Sequence, residues 1–149
     1  MRKSIGRLMA ILHRQSQIYY NNTLKDLNIS SAEYPFLLYL FSRDGASQEE
    51  MSCYLNIDKA ATARAVKSLE EKGYVTREKA DSDKRVNHVF LTEKANEIEL
   101  AMKKKITGWS DLLTEGMSGE SIEEMTQILE EMVNKVEKRN IRNKTEDKR

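Results

Sequence analysis

Cysteine, proline and glycine are scarce in this sequence, and each scarcity excludes a class of protein. The 149 residues include one cysteine, one proline and six glycines. Because a lone cysteine cannot form an intrachain disulfide, a small secreted fold held by disulfides is excluded. Because helix breakers are rare and no Ser/Gly-rich linker is present, the sequence favours a mainly α-helical chain. Its length fits one domain, or one compact domain with extra helices for self-association.

Long apolar runs are also absent. No stretch approaches the roughly 18 to 20 apolar residues that a membrane-spanning helix needs. The N-terminal Met1-Arg2-Lys3 leads into an apolar segment that polar residues interrupt, and no small-residue cleavage site of a signal peptide follows. The sequence therefore predicts a cytoplasmic protein with no membrane partner.

The net charge is only +1, but the charges are unevenly distributed. Residues 89–137 contain 5 Lys and Arg against 11 Asp and Glu, whereas residues 1–29 contain 5 against 1 and residues 138–149 contain 6 against 2. If the acidic helices face away from a phosphate backbone, a nearly neutral protein can still present a basic face to DNA.

Apolar spacing predicts a long first helix over about residues 4–27. Ser30 and Glu33 then match a capping box, which predicts that a second helix begins at Ser30. Pro35 would fall just past its first turn, remove one helical hydrogen bond and bend the helix. Gly45 is predicted to end this helix, because glycine adopts positive φ readily.

Residues 47–73 have the pattern of a helix-turn-helix unit. Ser47 repeats the capping chemistry and opens a short helix. The turn Asn56-Ile57-Asp58 follows, in which Asn56 tolerates the left-handed conformation and Asp58 caps the next helix. That helix is predicted to end at Gly73.

After residue 73 the apolar period changes from 3.6 to 2. This change predicts strands over residues 74–77 and 85–91. The segment 78–84 between them is small and charged, as hairpin tips are, so the two strands should form a wing.

Two long helices are predicted after the wing, one beginning at Thr92 and one near Ser118. The second carries a heptad-like apolar seam, which is typical of helix pairing. The seam consists of Ile122, Met125, Leu129, Met132 and Val136. The predicted fold class is mainly α with a small β-hairpin wing, a winged helix-turn-helix with N- and C-terminal dimerisation helices. The predicted divisions are a DNA-binding domain over residues 30–92, a dimerisation region over residues 1–29 and 93–140, and a polar tail over residues 141–149.

This arrangement resembles the multiple-antibiotic-resistance regulator (MarR) family over nearly the whole chain. Residues 57–75 are similar to that family's recognition helix and first wing strand. Residues 81–85, followed by residues 91–94, are similar to its wing tip and to the start of its fifth helix. The resemblance implies a transcriptional regulator, predicted to be a repressor, that binds a pseudo-palindromic double-stranded DNA operator as a homodimer.

The predicted DNA-contacting residues lie on the recognition helix and the wing. They are Lys59, Ala60, Ala61, Ala63, Arg64, Lys67, Lys84 and Arg85. Arg64 is the expected guanine reader and Lys67 the expected phosphate contact, because both lie opposite the apolar positions Val66 and Leu69. The alternatives are solvated charge for Arg64 and an ion pair with a neighbouring glutamate for Lys67.

Alanine stands at positions 60, 61 and 63, where the family often has hydroxyl residues. Alanine cannot hydrogen-bond a base edge but can contact a thymine methyl group, so direct readout is expected to depend on Arg64 and Lys59. On the wing, the family resemblance assigns a minor-groove role to Arg85 and a bracing role to Asp81 or Asp83. The alternative for Arg85 is an ordinary hairpin ion pair.

The resemblance also suggests a small aromatic or amphipathic effector in a crevice between the first, second and fifth helices. His13, Tyr39 and Trp109 are the candidates for that crevice, and a core role is an equal alternative for them.

Other chemistry finds little support in the sequence. Cys53 is predicted to be buried or inert, because no resolving cysteine exists and nearby glutamates disfavour a thiolate. His13 and His88 with one cysteine are too few and too scattered for zinc. No nucleophile, phosphate loop or paired-carboxylate pattern indicates an enzyme, and no cofactor is predicted. The alternative function is a winged-helix module that binds a protein or RNA partner.

Overall fold

The computed structural model describes residues 3–82 and 85–146, with side chains described up to residue 139. Its helices and strands follow the predicted order. They are α1 (Ile5–Thr23), a 3₁₀ turn (Lys25–Leu27), α2 (Tyr34–Ser42), α3 (Gln48–Leu55), α4 (Lys59–Glu71), β1 (Val75–Lys79), β2 (Asn87–Leu91), α5 (Glu93–Thr114) and α6 (Gly119–Glu146). The predicted fold class, mainly α with a β-hairpin wing, is therefore confirmed.

The chain divides into two compact units, Met1–Ser110 and Asp111–Arg149. The first unit contains a hydrophobic core to which α2, α3, α4, the wing and α5 all contribute. Its fully buried side chains include Leu24, Phe36, Leu37, Leu40, Met51, Val66, Leu69, Val75, Val89 and Met102. Each such side chain stabilises the fold by about 1.5 to 3 kcal/mol relative to an exposed one. The second unit contains the end of α5 and all of α6.

The first helix is shorter than predicted. It ends at Thr23, and a separate 3₁₀ turn covers Lys25–Leu27. Leu24 at the break is fully buried, so the chain turns there to bring this side chain into the core. Asn28 closes the turn with φ +58°, a conformation that asparagine tolerates better than most residues.

The second helix begins at Tyr34, four residues later than predicted. The Glu33 carboxylate does accept a hydrogen bond from the Ser30 amide, at 2.8 Å, so half of the capping box is present. The Glu33 amide, however, donates to the Ser30 carbonyl at 3.1 Å. Pro35 consequently lies in the first turn of α2, where its missing amide removes no helical hydrogen bond. The predicted loss of a helical hydrogen bond at Pro35, on which the predicted bend depended, was therefore wrong.

The helix-turn-helix formed as predicted. Asn56 has φ +55° in the turn after α3. The Asp58 carboxylate accepts from the Ala61 amide at 2.7 Å and caps α4. Gly73 has φ +83° just after α4 ends. These local signals are strong because each depends on residues within four positions of one another.

The wing strands are antiparallel and pair Val75 with Leu91 and Lys79 with Asn87. Strand β1 extends two residues into the segment predicted to be the hairpin tip. The loop before α3 also joins the wing: the Gly45 amide donates to the Val89 carbonyl, and the Val89 amide donates to the Ala46 carbonyl, both at 2.9 Å. The wing is therefore held by hydrogen bonds to the α2–α3 loop as well as by the pairing of its own two strands.

The later helices agree with prediction at their starts. The Thr92 hydroxyl accepts from the Ala95 amide at 3.4 Å, and the Ser118 hydroxyl accepts from the Ser121 amide at 3.1 Å. Helix α6 continues to Glu146, so it extends over most of the segment predicted to be a polar tail.

Candidate nucleic-acid interface

Helix α4 has one buried and one exposed face. Thr62, Ala65, Val66 and Leu69 form the buried face. The exposed positions are Lys59, Ala60, Ala63, Arg64, Lys67 and Glu71, and Ala61 is half-buried. The inward position predicted for Val66 and Leu69 is thus correct, and the long cationic side chains extend from the opposite side. Two alanines beside Arg64 leave the backbone of α4 open to close approach by a large partner.

The wing is connected to α4 by an ion pair that the sequence analysis missed. The Arg77 guanidinium on β1 donates two hydrogen bonds to the Glu70 carboxylate, at 2.9 and 3.1 Å. The hydrogen bond lowers the pKa of Glu70 and raises that of Arg77. A bidentate pair of this kind fixes orientation better than a single contact. The arrangement joins the end of α4 to the first wing strand.

A cleft of about 190 Å³ lies between the starts of α3 and α4 and the base of the wing. Lys59 and Arg85, which were predicted separately from different elements, both line it. Gln48 and Asn87 also line the cleft and were not predicted. The Gln48 side-chain oxygen is buried and has no hydrogen-bond partner among the described residues. The sequence signal nearest to Gln48 was the capping serine Ser47, which opens α3 beside this cleft.

The wing tip is only partly described. Asp81 and Arg85 are exposed. Asp83 and Lys84, the other two predicted wing residues, lie outside the described residues. The bracing role therefore remains a prediction for both aspartates.

The three effector candidates lie in separate environments. The Tyr39 ring packs against Tyr54, with ring centroids 4.9 Å apart, and lines a cavity of about 470 Å³ between α2 and α3. The Trp109 ring lies 5.5 Å from that of Tyr19, within the aromatic cluster of α1 and α5. His13 is exposed on α1. Neither Trp109 nor His13 lines the cavity that contains Tyr39.

Cys53 is exposed on α3, so the part of the prediction that allowed it to be buried was wrong. Its neighbour Ser52 occupies the inward position instead, where its hydroxyl donates to the Ile57 carbonyl at 2.6 Å. Within residues 3–82 and 85–146, no group of three His, Cys, Asp or Glu side chains is arranged to hold a metal ion. No helix in the same ranges is long and apolar enough to cross a bilayer.

Comparison with known proteins gives one consistent family. The model of the MarR family matches residues 29–86. The HTH-type transcriptional regulator YybA of Bacillus subtilis is 23% identical over 136 residues, which cover 91% of this chain and 88% of that protein.

Solved structures agree with the sequence comparisons. A MarR transcriptional regulator from Methanosarcina mazei Go1 is 39% identical, with a TM-score of 0.85, over 90% of this chain and 96% of that one. A MarR family regulator from Listeria monocytogenes, solved with a 26-mer DNA, shares the fold with a TM-score of 0.86 at 22% identity, over 92% of this chain and 91% of that one. The chain belongs to the MarR family of winged-helix, DNA-binding transcriptional regulators.

Proposed function

We propose that this protein is a homodimeric repressor that binds a pseudo-palindromic operator and is released by a small aromatic or amphipathic effector. The observation that carries the proposal is the exposed face of α4, where Arg64 and Lys67 flank small alanines. Such a face fits the major groove, because the small side chains let the helix backbone approach the bases. The Listeria relative, solved with DNA, supports the same partner for this fold.

Within this proposal, Arg64 donates two hydrogen bonds to a guanine and Lys67 contacts a phosphate. Ala60, Ala61 and Ala63 contact thymine methyl groups rather than polar base edges. Lys59 contributes a further cation at the start of α4.

The wing contributes a second contact. Arg85 is exposed at the base of the hairpin tip and lines the same cleft as Lys59. A cation at this position suits the narrow, electronegative minor groove beside each half-site. Lys84 adds to this charge in the sequence, and Asp81 or Asp83 braces the loop.

Dimerisation is supported by apolar stripes in both units. On α1, Ile5, Leu8 and Leu12 are spaced along one face and are each at least 44% exposed. On α6, Leu129 and Val136 are 45% and 58% exposed. Soluble chains rarely leave such stripes uncovered, so a second copy of the chain is the proposed cover.

The proposed effector site is the α2–α3 cavity, and not the crevice between the first, second and fifth helices that the family resemblance suggests. Tyr39 and Tyr54 form an aromatic wall, and Arg43 lies at its edge. An aromatic wall suits a planar ligand, and Arg43, which pairs with Glu50 at 3.5 Å, gives the cavity a polar edge for an amphipathic one. Of the three predicted effector residues, the proposal keeps only Tyr39.

The proposal is tested by band-shift titration of the DNA upstream of the protein's own gene, at two salt concentrations. Arg64→Ala should cost about 1 to 3 kcal/mol on the operator and relax the preference at one base pair in each half-site. Lys67→Ala should weaken binding to all sequences alike. Lys104→Ala, which removes one exposed charge from α5, is the matched control.

Each outcome of the titration has a distinct meaning. If Arg64→Ala changed neither affinity nor base preference, α4 would not be the DNA-reading face. If wild-type protein bound no duplex DNA but bound RNA or a protein partner, the alternative winged-helix interaction module would replace the repressor.

A further inference from the structure

Glu33, at the start of α2, is a buried carboxylate with an unusual set of partners. Glu33 is only 3% exposed to solvent. One carboxylate oxygen accepts from the Ser30 amide at 2.8 Å and from the Lys72 ammonium at 2.7 Å. The other accepts from the Ser68 hydroxyl at 2.6 Å. The carboxylate thus has the hydrogen bonds that a buried charge requires.

Two of these partners are distant in sequence. Ser68 and Lys72 are 35 and 39 residues from Glu33 and lie in and just after the last turn of α4. The Lys72 carbonyl in turn accepts from the Lys94 ammonium of α5 at 2.6 Å. The C-terminal end of α4 is therefore fastened to the start of α2 and to the start of α5.

Capping of α2 does not explain this arrangement. The Ser30 contact alone would satisfy the local role, and it needs no group from α4. A buried ion pair is also a weak source of stability, because desolvation of both charges offsets much of their attraction. The contacts do impose a geometric requirement, since the carboxylate keeps all of its hydrogen bonds only while the end of α4 lies beside the start of α2.

We propose that Glu33 is a positioning residue for DNA recognition. It holds Ser68 and Lys72 and thereby fixes the tilt of α4 relative to the start of α2. The inference rests on the proposed reading of DNA by α4. Arg64 lies one helical turn before Ser68, so a change of tilt at this end alters where the Arg64 side chain meets a base. Glu33 itself is too buried to contact DNA.

If Glu33 acted only through its negative charge, its replacement would have the opposite effect on DNA affinity. Removing a negative charge strengthens attraction to phosphates and should raise affinity for all DNA slightly. Loss of helix positioning should lower affinity for the operator and leave non-specific binding nearly unchanged, because only base contacts depend on sub-ångström placement. The ratio of operator to non-specific affinity therefore separates the two effects.

The experiment measures that ratio by fluorescence anisotropy, with the operator duplex and a scrambled duplex of equal length. Glu33→Gln, an isosteric change, should reduce the ratio by about tenfold, on the order of a single weakened base contact. Ser68→Ala removes one hydrogen bond to the Glu33 carboxylate, while alanine has a higher helix propensity than serine. This variant should reduce the affinity ratio about threefold. Glu97→Gln removes an exposed carboxylate from α5 and is the charge-matched control, with an unchanged ratio expected.

Hydrogen exchange of the free protein provides a second readout that needs no DNA. Amides of residues 66–72 should exchange faster in both Glu33→Gln and Ser68→Ala, with no change in the control. If both variants kept the wild-type affinity ratio and the wild-type exchange, the inference would be overturned and Glu33 would be only a helix cap. If Glu33→Gln failed to fold, Ser68→Ala would decide.

The proposed function can fail separately. Should wild-type protein show no preference for its operator, the repressor proposal falls. The exchange of residues 66–72 would still show whether Glu33 holds α4.

Discussion

Gly45 connects the α2–α3 loop to the wing, and its replacement by alanine gives a prediction with a built-in control. Gly45 has φ +84°, and a Cβ atom placed on it would lie 2.9 Å from Cε1 of the Phe90 ring on β2. Gly73 has almost the same φ, +83°, but its Cβ would meet only Lys94 Cδ, at an ordinary 3.8 Å. The two substitutions therefore share the backbone strain and differ in the contact.

The expected magnitudes follow from that difference. A left-handed conformation costs an alanine about 1 to 2 kcal/mol in either position. The unfolded-state gain of about 0.4 to 1 kcal/mol for Gly→Ala is also common to both. At Gly45 the Phe90 ring must shift, which adds about 1 to 3 kcal/mol of overpacking. For a chain of this size, Gly45→Ala should melt roughly 3 to 9 °C below Gly73→Ala.

The assay is thermal unfolding by circular dichroism, at one protein concentration because self-association changes melting temperatures. Phe90→Leu should remove most of the added penalty in the Gly45→Ala background, so the double-mutant cycle should give a coupling of about 1 to 3 kcal/mol. Equal melting temperatures for Gly45→Ala and Gly73→Ala, with no coupling to Phe90, would refute the claim that Gly45 lies too close to the Phe90 ring to accept a Cβ atom.

Three further predictions concern the wing, the dimer and the buried carboxylate. Arg85→Ala should make the slope of log affinity against log salt shallower by up to about 2 units per dimer, while an exposed charge changes stability by at most about 1 kcal/mol; an unchanged slope would assign Arg85 to structure. Leu129→Glu should shift sedimentation from dimer to monomer at micromolar concentration and abolish operator binding, and a persistent dimer would exclude this stripe as an interface. Burial alone would raise the pKa of Glu33, but hydrogen bonds from Lys72, Ser68 and Ser30 lower it below its ordinary value of 4.5. Its stabilisation is therefore present above pH 4.5 and lost as the pH falls through the lowered pKa, so the melting difference between wild type and Glu33→Gln should narrow from about pH 6 to about pH 3.

Local chemistry in the sequence was sufficient to predict the helix-turn-helix. Asn56, Asp58 and Gly73 each act on backbone within a few residues, so their effects do not depend on the rest of the fold. The buried face of α4 was equally accessible, because helical periodicity alone separates Val66 from Arg64.

The errors lie where distant groups compete with local ones. Glu33 was predicted only to cap a helix from Ser30; it keeps that contact, but Ser68 and Lys72 also donate to its carboxylate. The Ser31 amide likewise donates to the Asn21 side chain, ten residues earlier. A single sequence contains no signal for such pairs, because neither partner has a fixed spacing from the other.

The candidate interface shows the same division. The cationic positions of α4 were predictable from spacing, whereas the bond between Arg77 and Glu70, which joins the wing to α4, was not. The effector candidates were predicted to line one crevice, and they lie in separate environments for a related reason. Tyr39 and Trp109 are both aromatic and near helical apolar stripes, but periodicity does not say that Tyr39 packs on Tyr54 while Trp109 packs on Tyr19.

The composition of α4 gives these long-range contacts their importance. Ala60 and Ala63 face outward and donate no side-chain hydrogen bond, so base discrimination in the proposed complex falls mainly to Arg64 and Lys59. A recognition surface with few hydrogen-bonding residues depends on where those residues are held more than a surface with many does, since few neighbouring contacts compensate for a displacement. The bidentate pair to the wing and the buried Glu33 carboxylate contact α4 in and just after its last turn, beyond Arg64, and restrain the helix there. Substitutions in this supporting set should therefore change specificity before they change stability, the reverse of what truncation in the core at Val66 or Leu69 would do.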